Sequence, residues 1–557
     1  MSAEATAAPD PQKRTGAMQG ALDFIERVGN KVPHPAILFM GLCVGIILLS
    51  QVLYWANVSA TYEVVKPPPA AVEQVYVGGS TMPAEIMPSE PANASEYKIV
   101  TETVKARGLL TTDGIRYLFT SFVHNFMGFT AMGIILIVMI GVGVAEISGL
   151  ISSLIRKLVA ISSVSTLTYI IVFLGIVSSI ASDAGYLVLI PLGAAAFMSV
   201  KRHPLAGMAA AFAGVAGGFG VNLLVTPTDA ILTEITNEAI HLVDPARSIA
   251  ITANLYFGIG STIILTVLLA LITTRIIEPR LGAYDPALAP GSAEHAEPDV
   301  LDAITPEQDS KGLKWAGFGL LLAAALVGIL TFPPGAPLRA PGTGQIIGTS
   351  PFMDSLIVII TLFFLAGGLG YGRGAGTLKS STDVINAIQK SWAGLAGLLF
   401  LFLLIAQFIA YFNYSNMAQI AAVKLGDTIE RMSVGPLWLI LGAMLITLVV
   451  GIIMPQAIAK WALLAPIFIP LFMRLGVAPQ TMLAAYRVAD SPMNIVTPIM
   501  AYFPLIVVFA ARYDKRSGIG TVIALMLPYF IALVIVWTLF FVAWYVLKIP
   551  LGPGYTV

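Results

Sequence analysis

Long apolar segments recur along the whole chain and are separated by shorter polar stretches that carry most of the charges. The hydrocarbon core of a bilayer is about 30 Å thick, and a helix that rises about 1.5 Å per residue needs roughly 20 apolar residues to cross it. Uninterrupted segments of this kind lie at 36–56, 130–150, 251–275, 315–331, 353–371, 393–412 and 519–547. The pattern predicts an all-α polytopic membrane protein.

Two further apolar segments, 204–230 and 480–510, are interrupted by nearly the same polar phrase. The phrase reads Asn222-Leu-Leu-Val-Thr226-Pro227 in the first segment and Asn494-Ile-Val-Thr497-Pro498 in the second. Backbone groups in hydrocarbon need partners, so a broken helix is tolerated only where protein or a cavity satisfies them. Paired breaks in two halves of a chain are typical of a transporter's binding site, and ordinary proline kinks are the alternative.

Two more segments, 160–199 and 436–473, have polar centres. The first is flanked by basic residues at both ends, and Asp183 lies in its centre. Because Lys and Arg favour the cytoplasmic side, this pattern fits a re-entrant hairpin better than one crossing, with two full crossings as the alternative. The second segment is interrupted at Met454-Pro455-Gln456, and we expect a matching hairpin there.

The charges between the segments predict the topology. The basic N-terminus lacks a signal-peptide cleavage pattern and is expected to stay cytoplasmic, whereas the glutamate-rich stretch after the first span is expected outside. The predicted division is a cytoplasmic N-terminus at 1–35, a first span at 36–56, an extracytoplasmic loop at 57–115, a first repeat at 116–275 with hairpin 160–199, a cytoplasmic linker at 276–314, two connecting spans in 315–371, and a second repeat at 388–547 with hairpin 436–473. Nine spans and two hairpins in inverted repeats are the architecture that supports alternating access.

Composition agrees with a membrane protein, since 57% of the residues are hydrophobic, 11% are charged and the mean hydropathy is +0.85. The 31 basic and 31 acidic residues give zero net charge without a prominent basic tract, so no nucleic-acid partner is expected. Cys43 is the one cysteine, which excludes an intrachain disulfide and a thiol metal site. No cofactor is expected beyond a coupling proton or sodium ion.

The sequence gives weaker support to two other function classes. An intramembrane enzyme needs a buried nucleophile or metal group, and the sequence contains neither a His-Glu-x-x-His helix nor a Gly-x-Ser-x-Gly elbow. A channel also uses polar breaks, but paired inverted hairpins favour a gated carrier. Saturable, coupled flux would distinguish the carrier from electrodiffusive conductance.

Four motifs in this order resemble the signatures of the AbgT family: Ser182-Asp183-Ala-Gly-Tyr186, Asn222-Leu-Leu-Val-Thr-Pro-Thr-Asp229, Ala459-Lys460-Trp461 and Tyr486-Arg487-Val-Ala-Asp490-Ser491. The resemblance implies a bacterial inner-membrane transporter built as a bowl-shaped homodimer, with nine transmembrane helices and two re-entrant hairpins in each protomer. It also implies uptake of p-aminobenzoyl-glutamate or export of sulfonamide antimetabolites. A carboxylate or organic-anion transporter of related inverted-hairpin design is the alternative.

The resemblance places functional weight on particular positions, namely Asp183, Trp461, Pro479, Arg487, Asp490 and Pro498. Independently, ionisable side chains within membrane segments cost about 2.5 to 3.5 kcal/mol each and usually mark pathways or pairs. That argument selects Asp183, Asp229, Lys460, Arg487 and Asp490. Polar and proline residues at the breaks complete the candidate pathway: Asn222, Thr226, Pro227, Gln456, Ser491, Asn494 and Thr497.

Several roles remain open for these residues. Arg487 and Asp490 are three positions apart and could neutralise each other on one helix face. Alternatively, Arg487 or Lys460 attracts a substrate carboxylate while Asp490 handles the coupling cation. Asp183 and Asp490 are then symmetry-related sites for sodium or acceptors of a proton. Trp461 could stack on an aminobenzoyl ring or pack against a neighbouring helix.

The second hairpin departs from the family's pattern, Asn-x-x-x-Gly-Ser-x-Ser-Ala-Lys-Trp. This chain has Gly451 in place of the Asn, and Gln456 and Ile458 in place of the two Ser residues. The Asn and Ser side chains of the family's pattern, which this chain lacks, carry the oxygen atoms that a hard cation prefers. The departure favours a proton slightly over sodium as the coupling ion.

Overall fold

The computed structural model describes residues 35–66, 98–160, 162–181, 185–289, 305–346, 350–431 and 435–557. The two strands are β1 (Ser59–Lys66) and β2 (Lys98–Lys105). Apart from short turns, the helices are α1 (Pro35–Trp55), α2 (Thr112–Thr120), α3 (Phe122–Met127), α4 (Thr130–Ile147), α5 (Leu150–Ala160), α6 (Leu167–Val177), α7 (Ile190–Ser199), α8 (Pro204–Phe212), α9 (Pro227–His241), α10 (Leu255–Leu281), α11 (Pro306–Thr331), α12 (Leu356–Ala375), α13 (Ser381–Gly394), α14 (Ala396–Tyr414), α15 (Met417–Arg431), α16 (Pro436–Ile453), α17 (Ala457–Arg474), α18 (Pro479–Asp490), α19 (Phe503–Ala511) and α20 (Ile519–Val546).

The prediction of a helical membrane protein is confirmed. Within the described residues, eight helices are long and apolar enough to cross a membrane: α1, α4, α10, α11, α12, α14, α17 and α20. Shorter apolar helices of 10–17 residues lie between them. Much of the surface is apolar, and only 11% of the apolar window of α11 is buried within the protein, as expected of a helix that faces lipid.

Some helices extend beyond the apolar segments that predicted them. Helix α11 begins at Pro306, inside the predicted linker 276–314, because Thr305 caps it. The Thr305 hydroxyl accepts the Gln308 N–H at 3.3 Å, and Gln308 Oε1 accepts the Thr305 N–H at 3.0 Å. Helix α10 likewise continues to Leu281. The remainder of the linker at 290–304 and the N-terminus at 1–34 lie outside the described residues.

The predicted extracytoplasmic loop contains a feature that hydropathy did not indicate. Strands β1 and β2 pair antiparallel, with Ser59 opposite Lys105 and Lys66 opposite Lys98. Both strands are rich in Val and Thr, which favour extended backbone. Ala60 and Ala106 pack with Ile420 and Val423, so this strand pair packs against α15.

The two hairpins and the two broken spans form the interior of the molecule. In the first hairpin, α6 with Ser178–Ala181 forms one arm and Gly185–Leu189 with α7 forms the other. Each arm has at most 17 residues. An arm of that length reaches about 25 Å, less than the bilayer core, which favours the re-entrant hairpin over two crossings. In the second hairpin, α16 and α17 meet at residues 454–456.

Each broken span is two helices joined by irregular chain. The first runs from α8 through a wide turn at Ala213–Gly217 and an irregular stretch to α9, and the second runs from α18 through a tight turn at Ser491–Ile495 to α19. The wide turn contacts the tight turn, α9 packs on α17, and α16 packs on α18. The two interrupted points therefore meet, and each is covered by the hairpins.

Candidate functional site

Asn222 connects the first broken span to the first hairpin. Its side-chain amide donates to the carbonyl oxygen of Val177 at 3.1 Å and to the Ser179 hydroxyl at 2.9 Å, and it also lies 3.3 Å from the Ile176 carbonyl oxygen. These carbonyls lie at the end of α6, where the Ser179 hydroxyl also donates to the Ile176 carbonyl oxygen at 3.0 Å. The first Asn of the repeated phrase thus joins the first broken span to the end of α6 in the first hairpin.

Thr226, Pro227 and Asp229 start a new helix. The Thr226 hydroxyl accepts the Asp229 N–H at 3.1 Å, while Asp229 Oδ2 accepts the Thr226 N–H at 2.6 Å, and Pro227 occupies the first helical position. In the second half the matching Pro498 lies in irregular chain between the tight turn and α19. The repeated phrase therefore marks a break in both halves, but its local structure differs.

The two broken spans cross at Gly220. The Gly220 N–H donates to the Ser491 hydroxyl at 2.9 Å, and the Gly220 carbonyl accepts from Arg487 Nη1 at 3.1 Å. A Cβ at position 220 would lie 2.5 Å from Ser491 Oγ and 3.0 Å from the Arg487 carbonyl oxygen. Glycine allows this approach without a shift of its neighbours, and sequence reasoning did not assign Gly220 a contact with the second broken span.

Arg487 forms a buried ion pair with Asp229, which lies in the other half of the chain. Arg487 Nη1 donates to Asp229 Oδ1, and the two side chains are 6% and 16% exposed. Arg487 Nε has no partner among the described residues. The pair joins α18 to the first turn of α9 and places opposite charges where the spans cross.

Lys460 and Asp490 form a second buried pair, between α17 and the end of α18. Lys460 Nζ lies 2.8 Å from Asp490 Oδ1, and the side chains are 0% and 2% exposed. The Tyr486 hydroxyl lies 3.1 Å from the same carboxylate oxygen. Arg487 and Asp490 therefore do not pair with each other in this structure, because their side chains leave α18 toward different neighbours.

Trp461 is fully enclosed by protein. Its indole N–H donates to the Thr236 hydroxyl of α9 at 2.9 Å. Its ring lies on the ring of Tyr486, with 4.4 Å between the centroids and 32° between the planes. Of the two roles considered for Trp461, contact with neighbouring helices is the one present in this conformation.

The remaining candidate residues within the described chain take no part in these contacts. Asp183 falls outside the described residues. Gln456 is exposed just before α17, and Pro479 starts α18. Asn494 Oδ1 and Thr497 Oγ1 are buried, and no hydrogen-bond partner is found for either in the part of the chain that the structure describes.

A small cavity of about 20 Å³ adjoins the crossing. Its lining includes Asn222, Asp229, Arg487 and Asn254. Both polar atoms of the Asn254 side chain are buried without a partner in the described residues, and sequence reasoning missed this residue although it interrupts an apolar segment. The space has room for a water molecule or a small ion and is too small for an aromatic substrate.

Two interrupted spans that meet through a buried ion pair, each covered by a hairpin, are the architecture of a membrane transporter. Comparison with known proteins agrees, because residues 20–557 match the AbgT putative transporter family. The chain is 32% identical over 531 residues to the p-aminobenzoyl-glutamate transport protein of Escherichia coli (strain K12), covering 95% of this chain and 96% of that relative.

Two solved structures are also similar. The YdaH transporter of Alcanivorax borkumensis superposes with a TM-score of 0.81 at 40% identity, covering 94% of this chain and 100% of that one. MtrF of Neisseria gonorrhoeae, described with a class of antimetabolite efflux pumps, superposes with a TM-score of 0.81 at 37% identity, covering 96% and 99%. The chain belongs to the AbgT family, which confirms the resemblance. It is a multi-pass membrane transporter of small molecules and not an enzyme.

Proposed function

We propose that the protein is a secondary active transporter of the bacterial inner membrane for p-aminobenzoyl-glutamate or a related aromatic anion, driven by a proton or sodium gradient. The similarity to the Escherichia coli p-aminobenzoyl-glutamate transport protein supports this substrate class. A carboxylate or organic-anion carrier with another substrate is the alternative, and competition by short dicarboxylates distinguishes the two.

The observation that carries the proposal is Arg487 at the crossing. Its guanidinium is almost fully buried, lines the small cavity, and has an N–H without a partner in the described residues. A substrate carboxylate is planar and can accept two parallel hydrogen bonds from an arginine. It would compete with Asp229 for Arg487, so that substrate binding would weaken the ion pair joining the two halves.

The test is uptake of labelled p-aminobenzoyl-glutamate into proteoliposomes, with a proton gradient and a sodium gradient imposed separately. Saturable uptake under one gradient supports the proposal and identifies the coupling ion. Asp490→Asn should abolish gradient-driven uptake, and size-exclusion chromatography of the less stable variant checks that the protein used is folded. Channel-like conductance, or uptake that does not saturate, would contradict a carrier.

Arg487→Lys is the matched variant for the substrate. Lysine keeps the charge but loses the planar fork, so the half-saturation concentration should rise by about tenfold or more. An unchanged half-saturation concentration would remove Arg487 from the binding step. Asp229→Asn distinguishes the role of Asp229 from that of Arg487, because it removes the carboxylate of the pair and keeps the guanidinium.

Export is the second candidate direction. The solved structure of MtrF, described with antimetabolite efflux pumps, favours it. Sulfonamide accumulation in cells that express the protein tests this, since an exporter should lower accumulation and Asp490→Asn should restore it. The expected homodimer and the cytoplasmic N-terminus rest on the family resemblance and on the charge pattern. Native mass spectrometry and accessibility of an N-terminal tag test them.

A further inference from the structure

A cavity of about 450 Å³ lies at the C-terminal end of the first hairpin. One wall is the turn from α7 to α8, with Lys201, Arg202 and His203. The other wall is the end of α10 and the chain after it, with Glu278 and Tyr284. Of the described residues that line this cavity, none also lines the small cavity at the crossing. The space is therefore separate from the site to which transport was assigned above.

Arg202 is a fixed part of the first wall. Its Nε and Nη2 atoms donate to the two carboxylate oxygens of Glu278 at 2.7 and 2.6 Å, and Nη2 also donates to the Thr168 hydroxyl at 2.8 Å. The guanidinium carbon lies 3.9 Å from the centroid of the Phe197 ring. Arg202 thus joins the start of α6, the end of α7 and the end of α10. Its Nη1 atom forms no hydrogen bond within the described part of the chain and can donate to a ligand.

Lys201 ends α7 in a turn that does not itself require a lysine. Its φ angle is +60°, its N–H donates to the Met198 carbonyl oxygen at 3.0 Å, and the Arg202 N–H donates to the Phe197 carbonyl oxygen at 2.8 Å. Glycine is the usual residue at this position of a helix end. The lysine side chain is exposed, and no ion pair is found for it among the residues described. Because Glu278 is engaged by Arg202, Lys201 gives the cavity a net positive charge.

The segments beside the cavity are also more basic than acidic. The Tyr284 hydroxyl donates to the Tyr513 carbonyl oxygen at 3.3 Å, which brings the loop between α19 and α20 next to the second wall. Within 275–285 and 512–516 the basic residues are Arg275, Arg280, Arg512, Lys515 and Arg516, and the acidic ones are Glu278, Asp285 and Asp514. The charge of this region favours an anionic ligand.

The cavity lies where its walls leave the apolar part of the chain. The apolar segments that lead into the two walls end just before Lys201 and just before Glu278. Met198, which also lines the cavity, and Ile276 on α10 are each 47% exposed. At the edge of a membrane, exposed apolar side chains contact acyl chains and basic side chains contact headgroups. A ligand with an anionic head and apolar tails matches both, whereas a soluble phosphate would use only the basic part.

We propose that this cavity binds the headgroup of an anionic phospholipid. Its phosphate accepts hydrogen bonds from the Lys201 ammonium and from Arg202 Nη1, and its acyl chains lie along Met198 and Ile276. The bound lipid holds the ends of the first hairpin against α10. This inference does not depend on the substrate proposed above.

The test is lipid-dependent thermal unfolding of the full-length, delipidated protein in detergent. Phosphatidylglycerol should raise the unfolding temperature in a saturable manner, and phosphatidylcholine with the same acyl chains should not. Lys201→Gly keeps the turn and should weaken the apparent affinity for phosphatidylglycerol by about fivefold or more. Lys548→Gly is the matched control. Lys548 is exposed, has a φ angle of +54° and ends α20 in the same type of turn, with bonds from its N–H to the Tyr545 carbonyl and from the Ile549 N–H to the Trp544 carbonyl.

The inference is overturned if the two lipids stabilise the protein equally, or if Lys201→Gly and Lys548→Gly change the affinity to the same extent. Glycerol 3-phosphate is tested alone, because stabilisation as strong as that by phosphatidylglycerol would indicate a site for soluble phosphates and reject the lipid. Should Lys201→Gly not fold, Lys201→Asn replaces it, since asparagine also tolerates this backbone conformation. Native mass spectrometry provides a second measurement, in which Lys201→Gly should retain fewer phosphatidylglycerol molecules than the wild type and Lys548→Gly the same number.

Discussion

At the scale of single residues, the four buried charges determine how the crossing is held. Removing a charged group from water is costly, and the mutual attraction of a pair offsets that cost only while both partners remain. Asp229, Lys460, Arg487 and Asp490 satisfy this condition in two pairs that share helix α18. Loss of one partner should therefore cost more than loss of both.

Replacement of Asp490 by Asn should leave Lys460 buried and unpaired. We expect the free energy of unfolding to fall by about 3 kcal/mol or more. Denaturant unfolding in detergent, followed by tryptophan fluorescence, measures the change. Asp490→Asn/Lys460→Met removes both charges and should recover most of the loss. A double variant no more stable than the single one would contradict the argument.

Gly220→Ala should separate the two broken spans. The added Cβ meets Ser491 Oγ at 2.5 Å and the Arg487 carbonyl oxygen at 3.0 Å, so the backbone has to shift. We expect a loss of uptake of about tenfold or more, since small displacements of binding groups are costly. Gly442→Ala is the control, because nothing lies within 4 Å of a Cβ there. Equal uptake by both variants would show that the two spans can shift at Gly220 without loss of function.

The charged residues within apolar segments could be recognised from the sequence, whereas their partners could not. An Asp or Arg inside an apolar segment is visible in the sequence alone. The spacing of Arg487 and Asp490 suggested that they pair, but the actual partners are Asp229 and Lys460, each supplied by a different element. Partner choice depends on how the spans cross, and that information is not local.

At the scale of elements, the two halves are fastened differently. Asn222 holds the end of α6 through its side-chain amide. In the second half, the side-chain oxygen of Asn494 is buried without a partner in the described residues. Hydrogen bonds of the Asn222 side chain therefore join the first broken span to the first hairpin, whereas the second hairpin is joined to its neighbours by the Lys460–Asp490 pair and by helix packing.

Asn222→Ala should loosen the last turn of α6. The Val177 carbonyl and the Ser179 hydroxyl would lose their donor, so hydrogen exchange of amides at the end of α6 should quicken. Exchange measured by mass spectrometry on peptides covering Leu167–Val177 reports this. Thr226→Ala should instead affect the first turn of α9, with a cost of about 1 kcal/mol. The same pattern in both variants would contradict separate roles.

Acidification should weaken the start of α8. Burial lowers the pKa of His203 below its ordinary 6.5, partly opposed by Asp514 and Glu278. The unfolded chain therefore binds this proton at a higher pH, and stability falls as the pH drops below 6.5. The neutral ring accepts the Leu205 N–H at Nδ1, which a protonated ring cannot do.

Hydrogen exchange at Leu205 and Ala206, corrected for the intrinsic rate, should therefore rise more between pH 7.5 and pH 5.5 than exchange elsewhere in α8. His203→Asn retains a capping side chain that does not titrate. This variant should lose the additional pH dependence. If it keeps the dependence, another group is responsible.

The elements themselves were largely predictable, because apolar length and proline-containing breaks are local signals. Helix ends were less so, since Thr305 extends α11 by capping beyond the apolar segment. The strand pair was missed because its partners are separated by residues 67–97 and hydropathy does not report pairing.

At the scale of the whole molecule, helix packing and a set of polar and aromatic contacts join the two broken spans and their hairpins. Besides the ion pairs and Gly220, Trp461 reaches Thr236, and Tyr186 of the first hairpin stacks on Tyr502 of the second broken span at 4.4 Å. Alternating access requires some of these contacts to separate. All of these contacts are present in this structure.

Covalent closure of the tyrosine contact should stop transport. Tyr186→Cys/Tyr502→Cys, in a Cys43→Ser background, is treated with a short bifunctional thiol reagent, and uptake is compared with that of each single cysteine variant. We expect uptake to be lost on cross-linking only in the pair. A reducible reagent should allow recovery on reduction. Full activity of the cross-linked protein would show that the two elements move together.

The contacts of Gly220 have a consequence for the evolution of the family. Gly220 contributes main-chain N–H and C=O groups, and its partners are the Ser491 hydroxyl and the Arg487 guanidinium, so the contact requires only these two side chains and a small residue at 220. The other side chains that line the cavity, such as Val221 and Leu224, can change without removing this contact. The lining of the site, and with it the substrate, can therefore change while the two spans still cross in the same way.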